Sequence, residues 1–116
     1  MSSSIKIEVR QDHIDDGVIE NGTCCAVALA CEDFLLKNDK WKQEYEMHVE
    51  MDGFIGVRDT SDNTSVYQID LTENTQWMIS SFIDKFDNQN EYYHNQKELD
   101  ENLQPFEFEG ELKWLK

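Results

Sequence analysis

The chain has 116 residues and a mass of 13.7 kDa, a length that suits one domain over residues 1–116. It carries 25 Asp and Glu residues against 10 Lys and Arg residues, which gives a formal net charge of −15 at pH 7. A surface this negative repels phosphate groups, so we expect no direct binding of nucleic acid or of an anionic membrane. No apolar run approaches the roughly 20 residues of a membrane-spanning helix.

The composition favours a folded domain over a disordered chain. Apolar residues make up 39% of the sequence and aromatic residues 11%, while Pro occurs once and Gly five times. Chains that cannot form a core have few aromatic residues and many breakers. We therefore expect a modest hydrophobic core under a strongly acidic surface.

The first third of the chain predicts a strand followed by a helix. Ile5, Ile7 and Val9 alternate with charged residues, which indicates a half-buried strand. The polar stretch 11–17 is predicted to be a solvated turn, and residues 21–23 a second turn that supplies the N-cap of a helix.

That helix is predicted over residues 24–36, which are almost entirely apolar. One face of it repeats at helical spacing, through Val27, Cys31, Phe34 and Leu35. Apolar residues also lie on its other faces, so we expect this helix to be covered on more than one side.

The middle of the chain predicts three strands. Residues 45–51 alternate between apolar and polar, and Asp52-Gly53 predicts a two-residue hairpin turn into a returning strand at 54–57. Residues 59–63 are predicted to be a loop. A further alternating strand follows at 67–71.

The last part predicts a helix and a strand separated by a weakly patterned segment. Thr72 is suited to cap a helix whose apolar residues recur at helical spacing: Ile79, Phe82, Ile83 and Phe86. A weak third helix is predicted within residues 88–104, ended by Pro105. Residues 106–114 alternate again and predict the final strand.

The predicted order is therefore β-α-β-β-β-α-(α)-β. The hairpin in the middle of the chain implies an antiparallel sheet, and two amphipathic helices are enough to cover one of its faces. We predict a two-layer α+β fold with a mainly antiparallel sheet and helices packed on one face.

The cysteines are predicted to pack in a buried helix and not to bind a metal or carry out redox chemistry. Cys24, Cys25 and Cys31 form no C-x-x-C pair, and three histidines lie elsewhere in the chain without the spacing of a zinc site. An odd number of cysteines without a secretory signal favours a reducing compartment, so we expect a cytoplasmic protein. No cofactor or metal is predicted.

Two acidic segments contain possible metal-binding residues, and we interpret both as ordinary surface. Asp12, His13, Asp15 and Asp16 form a cluster that lacks a second motif, so we interpret it as a solvated turn. The segment from Asp59 to Asp70 resembles a calcium loop, but Thr64 stands where the sharp turn requires Gly. Nucleotide-binding and hydrolase motifs are missing from the sequence, and we predict a protein without enzymatic activity.

The excess of carboxylates is the feature that suggests a function. Acidic residues concentrate after residue 84 and on the predicted strands, where side chains on one face recur about every 6.7 Å. A row of carboxylates at regular spacing resembles a phosphate backbone and attracts a basic groove. The predicted partner-binding residues are Glu107, Glu109 and Glu111 on the final strand, Glu46 and Glu50 on an earlier strand, and Asp84, Asp87, Glu91, Tyr92 and Tyr93 as a flank.

Two sets of short motifs stand out: Ile5-Lys6-Ile7-x-Val9, Ile14-x-x-Gly17 and the run Cys24 to Ala30, and then Phe82 to Asp87 followed by Pro105 to Phe108. In these motifs the sequence resembles small uncharacterised bacteriophage proteins. The acidic, single-domain character is also similar to that of anti-CRISPR proteins and DNA mimics. This resemblance implies a counter-defence role in the cytoplasm of a bacterial host, and it assigns no active residues.

We therefore predict a phage-encoded inhibitor whose acidic surface binds the basic groove of a host defence complex, ribonucleoprotein or nucleic-acid enzyme. The alternative is an accessory or structural phage protein that self-associates, as a homo-oligomer without enzymatic activity. Two further interpretations remain open. One is an acidic surface whose charge no partner recognises, and the other is a small metal protein that uses the Cys and His residues.

The charge also predicts how the protein responds to salt. Carboxylates that repel one another lower the stability of the compact state, and salt screens that repulsion. We expect the thermal midpoint to rise between low and moderate salt, measured by circular dichroism. A midpoint that stayed constant would contradict this expectation.

Overall fold

The computed structural model describes residues 2–116. In chain order the elements are β1 (Ser2–Val9), α1 (Gln11–Asp16), α2 (Ala26–Lys37), β2 (Tyr45–Val49), β3 (Ile55–Asp59), β4 (Thr64–Asp70), α3 (Glu73–Asp87), α4 (Gln89–Tyr92), α5 (Gln96–Asn102) and β5 (Phe106–Trp114). No helix among these residues is both long and apolar enough to cross a membrane.

The five strands form one antiparallel sheet in the order β1-β5-β4-β3-β2. The first and last strands of the chain are neighbours, and β1 and β2 form the two edges. This confirms the predicted α+β fold with a mainly antiparallel sheet and helices packed on one face.

Alternation along the strands separates an inner face from an outer face. Inner-face residues such as Ile7, Val57 and Phe108 are buried, and they join the helices in one hydrophobic cluster. The helices contribute Leu35 from α2 and Phe86 from α3, both almost fully buried. The outer face carries mostly charged and polar side chains.

Helix α2 lies in the concave side of a curved sheet. It packs against both edge strands, β1 and β2. In a flat sheet of five strands these edges would lie about 19 Å apart, which is wider than a helix of about 10 Å. The sheet therefore bends around α2, and the small side chains of Ala26, Ala28 and Ala30, all buried, allow the close approach.

The β2–β3 hairpin differs by one residue from its prediction. The Glu50 N–H donates to the Phe54 carbonyl at 2.9 Å, so the loop is the three residues Met51–Gly53. Gly53 has φ of +90°, where a side chain is strained, and a Cβ there would lie 2.6 Å from the Gln76 carbonyl oxygen. The predicted two-residue turn is wrong because α3 packs directly against this loop.

Two further predictions near the N-terminus are wrong. The polar stretch 11–17, predicted as a turn, forms helix α1. Helix α2 begins at Ala26 with Cys25 as its N-cap residue, whose side chain makes no capping bond. The Asn21 side chain instead accepts from the backbone N–H groups of Thr23 and Cys24, so it stabilises the turn before the helix.

Toward the C-terminus one prediction is confirmed and another is corrected. The Thr72 hydroxyl accepts a hydrogen bond from the Thr75 N–H at 3.2 Å and caps α3, as predicted. The weak third helix is instead two short helices, α4 and α5. Asn95 caps the second of them by accepting from the Glu98 N–H at 3.0 Å.

Adjacent leucines on α2 give a matched test of the enclosed helix. Leu35 is 0% exposed, whereas Leu36 is 53% exposed. We expect Leu35→Ala to lower the free energy of unfolding by about 3 kcal/mol, because it leaves a cavity in the core. Leu36→Ala should change it by less than about 0.5 kcal/mol. Urea unfolding measures both, and equal effects would contradict the enclosure of α2.

Candidate interaction surface

The outer face of the sheet is acidic and exposed to solvent. Helix α3 borders it, because Thr75 and Met78 line a small cavity together with Lys6, Glu107 and Glu109. Alternation and strand register place seven carboxylates and three cations on the outer face, a net charge of −4 with His48 neutral. The carboxylates are Glu8, Glu46, Glu50, Asp70, Glu107, Glu109 and Glu111, and the cations are Lys6, Arg58 and Lys113.

The densest part of this face is the row of Glu107, Glu109 and Glu111 on β5. All three side chains are exposed, as their predicted role requires. Lys6 of β1 lies 3.1 Å from Glu107, and this ion pair raises the pKa of the lysine. Within residues 2–116 no cation lies within ion-pair distance of Glu109 or Glu111, so these two carboxylates are available to a partner.

Glu46 and Glu50 share the outer face with that row but stand away from it. Strands β4 and β3 separate β2 from β5, a spacing of about 14 Å across the sheet. Both carboxylates also have local partners. Arg58 lies 3.0 Å from Glu46, and His48 lies 3.3 Å from Glu50.

An open cavity of about 550 Å³ lies beside this row, where β4 ends. Strand β5 continues past Asp70 paired only with β1, and Gly110 helps to line the space. A Cβ at residue 110 would lie 2.9 Å from the Asp70 carbonyl oxygen, so glycine leaves the room for this arrangement. Asp70, Glu109 and Glu111 line the cavity together with one cation, Lys6. Its charged lining is therefore acidic overall and suits a cationic side chain.

Asp70 was missed as a site residue, and the structure places it on the rim of this cavity. Its pKa is held below its ordinary value by hydrogen bonds from Lys113 and then from Gln68. Lys113 also forms an ion pair with it. The alternation that placed Glu107, Glu109 and Glu111 on one face was also visible at Gln68 and Asp70, but only strand pairing brings them together.

The remaining predicted residues lie on the helices or next to them. Asp84 and Asp87 belong to α3, Glu91 and Tyr92 to α4, and Tyr93 follows α4. These helices pack their apolar residues into the core, and within residues 2–116 no hydrogen bond or ion pair joins any of the five residues to the β5 row. That they flank this row stays a prediction. We call α3 and α4, together with α1 and α5, the helical layer.

Contacts within the helical layer assign some of these side chains local roles. Asp87 accepts from the Glu20 N–H at 3.0 Å, and Tyr93 packs partly buried against the core. The charge of Asp84 raises the pKa of Tyr92, whose ring is half-exposed. The most exposed aromatic side chain is Trp77 on α3, at 73%.

The acidic cluster at residues 12–16 is organised around a buried histidine. His13 is 5% exposed, which contradicts the predicted solvated turn. Its Nδ1 accepts from the Arg10 N–H at 3.0 Å, so Nε2 carries the proton and faces Asp33 at 3.3 Å. Arg10 and Lys37 also contact the Asp33 carboxylate, at 2.8 and 3.5 Å. The cluster joins β1 and α1 to α2.

The cysteines lie in the core, in keeping with the packing interpretation. Cys25 and Cys31 are buried and Cys24 is half-buried, and all three are free thiols. Burial raises the pKa of Cys25 and of Cys31, which disfavours their thiolates. Within the described chain no three His, Cys, Asp or Glu side chains are grouped so as to hold a metal ion.

The segment at residues 59–70 is an ordinary turn and strand. Asp59 accepts from the Ser61 N–H at 2.9 Å and from the Ser61 hydroxyl, and Lys116 lies 3.4 Å from it. These contacts hold the pKa of Asp59 below its ordinary value.

Comparison with known proteins gives no further assignment: no family model, curated protein or solved structure matches the chain.

The Asp33 cluster predicts a specific pH dependence. The hydrogen bond from Arg10, followed by that from His13, lowers the pKa of Asp33. A lowered pKa adds stability above the unfolded value of about 3.9, and this stability is lost as the pH falls through the folded value. Asp33→Asn should lower stability at neutral pH and flatten its decline below about pH 4. Urea unfolding from pH 3 to pH 7 measures both effects. If the free energy of unfolding of the variant ran parallel to that of the parent chain over this range, Asp33 would not be the source of the pH dependence.

Proposed function

We propose that this protein acts by binding, and that the β5 part of its outer face binds a basic groove which otherwise holds nucleic acid. The observation that carries the proposal is the exposed row of Glu107, Glu109 and Glu111. It stands on an open sheet face beside a cavity that suits a cationic side chain. The partner class is a basic nucleic-acid enzyme or ribonucleoprotein.

The geometry supports this proposal over an unspecific acidic surface. A β-strand holds its side chains in fixed alternation, so the carboxylates stand at regular intervals without the entropy cost of ordering a loop. Glu109 and Glu111 have no ion-pair partner in the described residues, although Lys6 lies opposite Glu109 in the β1–β5 register. An incoming Arg or Lys therefore does not need to break an ion pair at these two carboxylates. Fixed acidic charge of this kind favours rapid, oriented association.

Inhibition of a host defence complex by a phage protein is the form of this function that we propose from the sequence resemblance. In that form the acidic row competes with nucleic acid for the groove of the partner. The support is the size, the charge and the quoted sequence patterns, together with the open face.

The experiment is capture of a partner from bacterial lysate by the immobilised chain, followed by elution with salt or with a DNA or RNA duplex. We expect the captured protein to be basic and to be released by the duplex. The triple variant Glu107→Lys, Glu109→Lys and Glu111→Lys should weaken binding by at least about tenfold. Circular dichroism establishes that the variant is folded.

A matched control carries the same change in charge on α1 and α5. Asp16 of α1 and Asp100 and Glu101 of α5 are exposed carboxylates, and their replacement by Lys should leave capture near that of the parent chain. Equal losses in the two variants would show that net charge, and not the β5 row, governs binding. Capture that no duplex reverses would exclude competition for a nucleic-acid groove.

A further inference from the structure

One edge of the sheet is left unpaired in the described residues. Strand β1 pairs with β5 along Ser2–Val9, and in residues 2–116 no strand pairs with its other side. It contains no proline, and its register with β5 continues without a bulge. A regular edge of this length presents a row of backbone donors and acceptors that can pair with another strand.

The opposite edge strand, β2, is short and is covered by loops. It has five residues, and the loops around it bond to both of its ends. The Tyr45 N–H donates to the Lys42 carbonyl at 3.0 Å, and the Val49 N–H donates to the Gly22 carbonyl at 2.8 Å. Short, covered edges are how β-proteins avoid edge-to-edge association. Strand β1 is neither short nor covered by loops in this way.

We propose that two copies of this chain associate through β1, antiparallel and about a two-fold axis at Ile7, to form one continuous ten-stranded sheet. In this register Ile7 meets Ile7 of the second copy and Ile5 meets Val9 on the inner face. On the outer face Lys6 meets Glu8 of the other copy, twice by symmetry. Opposite charges in directly facing positions stabilise strand pairing.

The charges on β1 select this register among its neighbours. A shift of the axis to Lys6 places the two Lys6 side chains opposite each other, and a shift to Glu8 does the same for the two Glu8 side chains. A shift that pairs Lys6 with Ile7 sets an outer-face residue against an inner-face residue, which the pleat forbids. Only the axis at Ile7 pairs opposite charges on the outer face and apolar residues on the inner face.

The second copy also supplies a counter-charge that the single chain lacks. Glu8 lies directly opposite Glu107 in the β1–β5 register, and like charges in facing positions are destabilising. Lys6 bonds to Glu107 and not to Glu8. Pairing through β1 brings the second copy's Lys6 to the free side of Glu8.

The space beside β1 is compatible with an added strand. A groove of about 220 Å³ runs between β1 and α2. Lys6, Glu8 and Arg10 line it on the strand side, and Ala30, Asp33, Phe34 and Lys37 line it on the helix. Inner-face side chains of an added strand lie on this side of the sheet. Ala30 and Phe34 are the apolar lining residues of the groove, and they are the groups that an inner-face isoleucine of the second copy would contact.

The test compares the parent chain with two charge-reversal variants and with a mixture of the two variants. Sedimentation equilibrium at submillimolar chain concentration measures the mass of each in solution. The parent chain is expected to reach twice the 13.7 kDa of one chain. Lys6→Glu and Glu8→Lys each create two like-charge pairs, and each should raise the dimer dissociation constant by about tenfold or more. An equimolar mixture of the two variants restores opposite charges at both positions and should form a heterodimer as tight as the parent dimer.

The outcomes separate this interface from general effects of charge. Glu8→Lys reduces the net negative charge of the chain, so stronger self-association of this variant would overturn the proposal. A monomeric parent chain, or a mixture no tighter than the single variants, would also overturn it. Thermal melting of each variant establishes that it is folded. The inference does not rest on the proposed partner binding, because sedimentation of the purified chain measures self-association in the absence of any partner.

Discussion

The enclosure of α2 is the constraint on which the rest of the structure depends. The helix is apolar on nearly all sides, so it must be covered on more than one side, and a single sheet achieves this only by bending around it. The alanines at positions 26, 28 and 30 permit the bend, because small side chains let the strands approach the helix axis. All five strands therefore turn their apolar residues toward one side.

The acidic outer face follows from that arrangement. With the apolar side chains and the helices on the concave side, the convex side remains in water, where carboxylates are hydrated at no cost in burial. Cations from neighbouring strands neutralise part of this face, at Glu46, Glu107 and Asp70. In the described residues, Glu8, Glu109 and Glu111 of this face are left without an ion-pair partner. Glu109 and Glu111 lie next to the cavity at the end of β4, and this is the part of the molecule best suited to a basic partner.

The sequence predicted the parts of the fold that depend on local chemistry. Alternation identified the strands around Met47 and Phe108, and the Thr72 hydroxyl marked the start of α3, because periodicity and capping act over a few residues. Predictions were wrong where the local structure depends on contacts between residues that are far apart in the sequence. The segment at His13 becomes a helix because Asp33, twenty residues away, accepts a hydrogen bond from the buried imidazole. The hairpin at Gly53 has an extra residue because Gln76 of α3 packs against it.

The sequence by itself determined that Glu107, Glu109 and Glu111 stand on one face of a strand, because side chains in an extended chain alternate with a period of two. It also determined the net charge and the apolar character of α2. Only the tertiary structure decided that β5 lies between β1 and β4, that Glu46 is two strands removed from the row, that Asp84 and Tyr92 lie in the helical layer, and that β1 has an open edge. Strand order and register arise from contacts between segments far apart in the chain, and local periodicity carries no information about which strands become neighbours.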